Sequence, residues 1–223
     1  MIRTASWIGC ALLSASLLSA GDLSKYREFQ FGGDVSSVLK RVGMKASDVK
    51  IVHQRPAVIQ ELRWQPWQAV GATAVRESVR EILYHFYNGE LFRMSVIYDR
   101  DRTEGLTAAD LIDAMSPGYG IATKPDAELL FPGVYNETVK VLARWEDAQY
   151  SVNLVRSSYG AGFAMVMFSK PLAELAQVAI VEAARLDEKE APQRDIDRQQ
   201  KQDADKRVQQ ENARNTNKTG FRP

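Results

Sequence analysis

The sequence is poor in the residues that most readily announce chemistry. It has one cysteine and two histidines among 223 residues. The cysteine, Cys10, lies inside an apolar N-terminal run, so a chain processed after residue 20 carries none. Such a chain can form no disulfide, no thiolate metal site and no thiol nucleophile. The histidines, His53 and His85, belong to no H-x-x-x-H or H-E-x-x-H pattern of the kind that starts a zinc site. A G-x-S-x-G elbow is also missing, which leaves a serine-hydrolase triad little to build on. The expectation is no catalytic residue, no cofactor and no enzyme, with a hydrolase using His85 or His53 and nearby carboxylates as the remaining enzymatic reading.

An excess of either charge is lacking too. The formal net charge is +1, and removal of Arg3 with the leader brings it to zero. A basic face with many phosphate contacts is what nucleic-acid binding rests on, so that function is set aside. Net charge gives no reason for adhesion to a membrane surface either.

Long apolar runs are absent except at the start. Trp7 to Leu18 is a Ser-containing run too short to span a bilayer comfortably. Arg3 before it and Ser19-Ala20-Gly21 after it make residues 1–20 a secretory signal peptide. The expected product is exported, periplasmic or extracellular, with no stable membrane span once the leader is gone. An uncleaved anchor is the second reading, because Leu18 fits poorly three residues before a cut after Ala20. Lipid attachment is excluded, since Trp7-Ile8-Gly9-Cys10 comes before most of the apolar run.

The rest of the chain reads as α+β. Asp34 is placed to cap a helix over 34–43, with Val35, Val38, Leu39 and Val42 on one face and Gly43 at the left-handed end. Strand patterns follow at 49–54 and 58–64, then a loop through Pro66, Trp67 and Gly71. The stretch EILYHFYNGELFRMSVIY, 81–98, is a hairpin about Asn88-Gly89, whose residues tolerate a type I′ turn. A two-residue loop sets Tyr87 opposite Glu90, His85 opposite Phe92 and Leu83 opposite Met94. Both faces are then largely apolar, which predicts a central position covered on both sides and turns His85 toward packing.

Thr107-Ala108-Ala109-Asp110 is a capping box for a helix over 107–115. Residues 116–136 hold three prolines and three glycines and read as an irregular connection. Strands are expected at 139–145, 150–156 and 163–168, then a helix over 171–186 with Leu172, Leu175, Ala176, Ala179, Ala183 and Leu186 on its apolar face. The predicted fold is one mainly antiparallel sheet of six or seven strands packed by three helices. The order strand, glycine turn, strand, helix occurs at 81–115 and again at 150–184. From Asp187 the composition turns to charged and amide residues that cannot bury a core. The expected organisation is therefore a leader at 1–20, one domain at 22–186, and a charged helical or disordered tail at 187–223.

Two loops hold the candidate sites. In Asp99-Arg100-Asp101-Arg102-Thr103-Glu104-Gly105, with Asp110 beyond, carboxylates fall where a calcium loop places ligands, but position 6 is Glu104 and position 12 is Asp110. The competing reading has Thr107 and Asp110 capping a helix while Asp99 and Asp101 pair with arginines. Asp99, Asp101 and Asp110 thus carry the alternative of a small-ligand or calcium-binding module. Trp64-Gln65-Pro66-Trp67 places two indoles on a loop, and Trp64 and Trp67 are the expected interaction residues. The glycine pairs Gly118/Gly120 and Gly160/Gly162 read as turns, since neither opens a helix with the further residues of a phosphate loop.

The run Phe31-Gly32-Gly33-Asp34-Val35-Ser36-Ser37-Val38-Leu39-Lys40-Arg41-Val42-Gly43, followed by a Tyr/Phe-rich hairpin ending Val96-Ile97-Tyr98-Asp99, resembles the start of the SmpA/OmlA-like envelope domains. The likeness covers residues 29–101 and lacks that family's lipid-attachment cysteine. The chain as a whole looks like an uncharacterised exported bacterial family without assigned activity. The resemblance implies envelope scaffolding. The resulting expectation is a non-catalytic exported module that binds another envelope protein, its helix-prone tail folding on the partner.

Overall fold

The computed structural model describes residues 21–66, 78–131, 137–157, 162–220 and 222. Its frame is an eight-stranded antiparallel sheet ordered β3-β4-β5-β6-β10-β9-β8-β7. The strands are β3 (Lys50–His53), β4 (Ile59–Trp64), β5 (Val79–Tyr87), β6 (Glu90–Tyr98), β7 (Glu128–Phe131), β8 (Glu137–Glu146), β9 (Tyr150–Arg156) and β10 (Phe163–Ser169). A separate two-stranded ribbon, β1 (Lys25–Tyr26) and β2 (Phe29–Gln30), precedes it. The helices are α1 (Val35–Val42), the single turn α2 (Arg100–Thr103), α3 (Ala108–Tyr119) and α4 (Lys170–Gly220). The α+β class with a mainly antiparallel sheet therefore stands, with one strand more than the upper expectation. The extra strand is β7, which lies in the stretch read as an irregular connection; its four residues are too few for a period-2 pattern to show.

The local signals act as their chemistry requires. Asp34 Oδ1 accepts from the Ser37 backbone N–H at 3.0 Å, and Gly43 closes α1 at φ 71°. Thr107 and Asp110 exchange the two bonds of a capping box at the start of α3. That helix runs past the expected end at 115 to Tyr119, with Pro117 inside its last turns. Asn88 and Gly89 turn the hairpin with φ of 49° and 88°.

The hairpin register departs from expectation beyond the first two pairs. Tyr87 faces Glu90 and Phe86 faces Leu91, but His85 then faces Arg93, Tyr84 faces Met94 and Leu83 faces Ser95. Phe92 is an extra residue on β6, a bulge that shifts the pairs from His85–Arg93 to Glu81–Ile97 by one position. The consequence is a sorting of side chains. Met94 and Val96 join Ile82, Tyr84 and Phe86 on one face, while Arg93 and Ser95 join His85 on the other.

The first face is closed by apolar packing. Phe29 and Phe31 of the N-terminal segment, Val38, Leu39 and Val42 of α1 and Leu111 of α3 cover it. Beneath them lie Leu62, Tyr84, Met94, Val152, Met165 and Trp145, the last only 1% exposed. Trp145 Nε1–H donates to the Gly120 carbonyl at 3.0 Å, so its one polar atom is also satisfied. The Gly32-Gly33 segment is stitched to the hairpin tip: Gly32 N–H donates to Leu91 O and Leu91 N–H to Gly33 O, each at 2.9 Å.

The two strand–strand–helix units stand side by side, because β6 pairs with β10. Their helices part company. α3 packs on the first face, and α4 on the second, where Ala176 and Ala179 meet Ala57, Ile59 and Phe92. The order of elements recurs, but the placement of the helix does not.

Candidate functional site

Two surfaces stand out from this frame: α4 and the polar part of the second sheet face. α4 is 51 residues long, about 76 Å at 1.5 Å rise per residue. It begins directly from β10, with Lys170 Nζ 2.8 Å from Glu146 Oε2 and 2.7 Å from the Asp147 carbonyl. Its buried residues are the alanines 176, 179 and 183, small enough to bring the helix axis close to the sheet. Leu175, expected on that face, is instead 51% exposed, one residue and about 100° round the helix from Ala176. With Val178 (65%) and Val181 (59%) it forms an apolar stripe that no described residue covers. One side chain anchors the helix further along: Arg55 forms a two-point ion pair with Glu190, with 2.7 Å from Nη1 to Oε1. Nearly everything beyond Glu190 is exposed, and its interactions stay within the helix, as in Arg194–Asp187 at 3.0 Å and Arg198–Asp195 at 3.2 Å.

The second face carries a row of polar residues across the sheet. On β9 and β8 they are satisfied: Arg144 Nε–H donates to Asn153 Oδ1 at 2.7 Å, and Asn153 Nδ2–H to Ser151 Oγ at 2.9 Å. At the other edge Gln65 Nε2–H donates to Glu81 Oε2 at 2.9 Å, and Arg63 lies 3.6 Å from Glu81. Between these networks, His85 Nε2, Arg93 Nε and Ser95 Oγ are buried and have no hydrogen-bond partner among the described residues. Burial and the adjacent Arg93 charge push the His85 imidazole down to about 3, so it is neutral at pH 7. Burial pulls the Arg93 guanidinium down to about 10, which leaves it charged.

The Arg93 side chain also reports the shape of this face. Its Nη2–H donates to the Leu130 carbonyl on β7, four strand positions away from β6. A flat sheet would separate those strands by roughly 19 Å, at ~4.8 Å per step, beyond the reach of one arginine. The sheet therefore curls over this face, and β7 closes toward β6. Phe131, Val139, Val141, Val155, Ala164 and Val166 pack in the fold so made.

The residues singled out from the sequence lie elsewhere. Asp99 Oδ1 accepts from the backbone N–H groups of Asp101 and Arg102, capping α2. Asp110 is held in the capping box of α3, with Thr107 N–H donating to its Oδ2 at 2.7 Å. These carboxylates serve two different helix starts, and among the described residues no group of three His, Cys, Asp or Glu side chains could hold a metal. Trp64 is half-buried against the core of the first face, and Trp67 lies outside the described residues. His53 sits on the edge strand β3 opposite Ile59. His85 is half-buried and turned toward packing as expected, with the Phe92 ring 6.2 Å away, yet its neighbours are Glu61 and Arg93 as well as apolar groups. His85 and Ser95 make no hydrogen bond to each other, so a nucleophile–base pair is not formed. Reading the sequence missed Arg93 and Ser95, whose placement beside His85 depends on one bulged residue.

No family model matches this chain, and no curated protein or solved structure is significantly similar to it. Among the described residues no helix is long and apolar enough to cross a membrane.

Proposed function

We propose that this chain is a non-catalytic, exported protein-interaction or scaffolding module of the cell envelope, and that it engages another protein through α4. The observation that supports this reading is the stripe Leu175, Val178 and Val181, exposed on a helix that continues far beyond its anchor at Glu190. A helix segment that is polar all round and touches no core is marginal alone in water. A partner that buries the stripe and borders the charged extension supplies what the helix lacks. The partner's chemistry follows: an apolar, helix-receptive groove with mixed charges at its rim. The leader-like residues 1–20 and the SmpA/OmlA-like resemblance of residues 29–101 point to the envelope as the setting.

The test is a photo-cross-linking residue in place of Val178 in the mature chain, irradiated in envelope extract. One adduct of defined mass is expected, and Leu175→Asp with Val181→Asp should abolish it. No adduct, or an adduct indifferent to the two aspartates, overturns the proposal. A chain stopped after Ala191 tells whether the extension contributes: loss of the adduct assigns it a role in docking.

A further inference from the structure

The unpartnered atoms on the second sheet face point to a ligand, independently of α4. We infer that Arg93, with His85 and Ser95, binds the carboxylate of a small molecule on the curled face between β5 and β6. The three side chains stand together by register: His85 lies directly opposite Arg93, and Ser95 is the next residue of β6 on that face. Each presents a buried polar atom with no partner among the described residues, namely His85 Nε2, Arg93 Nε and Ser95 Oγ. Buried polar groups are normally satisfied, and their neighbours here show it, since Asn153, Ser151, Glu81 and Arg144 all have partners. Three unsatisfied groups side by side therefore mark a place built for something else.

The charge of the site selects the class of ligand. Arg93 donates one N–H to the Leu130 carbonyl, a neutral acceptor, and no carboxylate among the described residues pairs with it. The nearby described acids do not supply the missing partner. Glu81 is engaged by Gln65 and Arg63, and Glu61 lies on the far side of His85, its Oε2 4.0 Å from Nδ1. A buried guanidinium without a carboxylate is costly, and a planar carboxylate is what its fork accepts best. The imidazole is neutral, and 4.0 Å from Glu61 does not fix its tautomer, so it can carry its proton on Nε2 and donate. Ser95 O–H is a third donor. One net positive charge suits a monoanion; a dianionic phosphate would bring surplus negative charge toward Glu61. The His85 and Glu61 side chains are 12% and 24% exposed, so the seam opens to solvent along β4 while Ser95 remains sealed at its floor.

The two histidines make the site readable by imidazole NMR on the full chain, since His53→Gln identifies the His85 signals. Sodium acetate, sodium hexanoate and inorganic phosphate are the probes. A saturable shift of His85 with a carboxylate is expected, with His53 unmoved. Ser95→Ala should weaken binding about five-fold, and Arg93→Lys, which keeps the charge but loses the fork, about ten-fold or more. Ser95→Ala retains the buried shape, so it keeps the test decisive if the arginine variant fails to fold. Three results would overturn the inference: no saturable shift with either carboxylate, affinity unchanged in Ser95→Ala, or phosphate bound as tightly as the carboxylates.

Discussion

The two faces of the sheet are made from the same strands and solve burial differently. On the first face Trp145, Tyr84, Phe86, Leu91 and Met94 are packed under helices and the β1–β2 ribbon; Trp145 places its N–H on a carbonyl, and the Tyr84 hydroxyl is the one buried side-chain polar atom there without a partner among the described residues. On the second face Arg93 and Ser95 are carried inward beside His85, and Arg93 Nε and Ser95 Oγ have no hydrogen-bond partner among the described residues. One inserted residue, Phe92, separates the two outcomes. Without it, Met94 would face Leu83, and Arg93 would share a face with Tyr84. A fold gains stability from the first arrangement and gives some up in the second, which is the pattern expected where a surface is kept for binding.

The comparison is most forcefully tested by removing the largest buried side chain of the first face. Trp145→Ala should cost about 3–5 kcal/mol, from lost packing and the lost bond to Gly120 O. Urea unfolding measures it; a loss under ~1 kcal/mol would show that this face is not the stabilising one.

The second face should show itself through pH. Folding holds His85 at about 3, against about 6.5 for an ordinary imidazole. As pH falls, the unfolded chain takes up that proton first. The stabilising contribution is therefore complete above about 6.5 and declines as pH falls from there toward 3. By pH 5.5 the loss from this one group is about 1.4 kcal/mol. The groups facing His85 are Glu61 and Arg93, with the Glu81–Arg63 pair beyond them. His85→Gln should flatten the stability profile between pH 7 and pH 5.5. An unchanged slope in that variant would refute the burial of a neutral imidazole.

Much of this frame was legible in the sequence, because the signals were local. Asp34, Gly43, Asn88-Gly89 and the Thr107–Asp110 box each depend on a few adjacent residues, and each acts as its chemistry dictates. The candidate sites were not legible for the opposite reason. A bulge leaves no mark in the alternation of β6, since Leu91 and Phe92 are both apolar and either can pack inward. The curl that brings Leu130 to Arg93 sums the twist of several strands, and no short window records it. Leu175 was assigned to the buried face of α4 because it fits the apolar period; the sheet prefers the flatter alanine row one step round the helix.

Two serines on the second face sharpen the contrast between satisfied and unsatisfied groups. Ser151 Oγ accepts from Asn153 Nδ2 at 2.9 Å, so Ser151→Ala should cost about 1 kcal/mol. Ser95 Oγ has no partner among the described residues, so Ser95→Ala should be neutral or stabilise by up to ~1 kcal/mol. The same change is expected to weaken carboxylate binding, a trade of function for stability. Equal destabilisation by both substitutions, seen as equal drops in thermal midpoint, would mean that Ser95 is bonded after all.

The smallest effect on the domain should come from the largest deletion. Stopping the chain after Ala191 removes a long stretch of α4, yet it keeps the alanines that pack on the sheet and the Arg55–Glu190 pair. What is lost is held by exposed pairs such as Arg198–Asp195, each worth a few tenths of a kcal/mol within the helix and nothing across to the domain. The unfolding midpoint should therefore move by less than about 0.5 kcal/mol in free-energy terms, while the helical circular-dichroism signal falls substantially. A large drop in stability would mean that the extension folds back on the sheet and shields it. An unchanged midpoint with a lost helical signal would show that the segment beyond Ala191 is helical without support from the domain, the property on which the proposed docking through α4 rests.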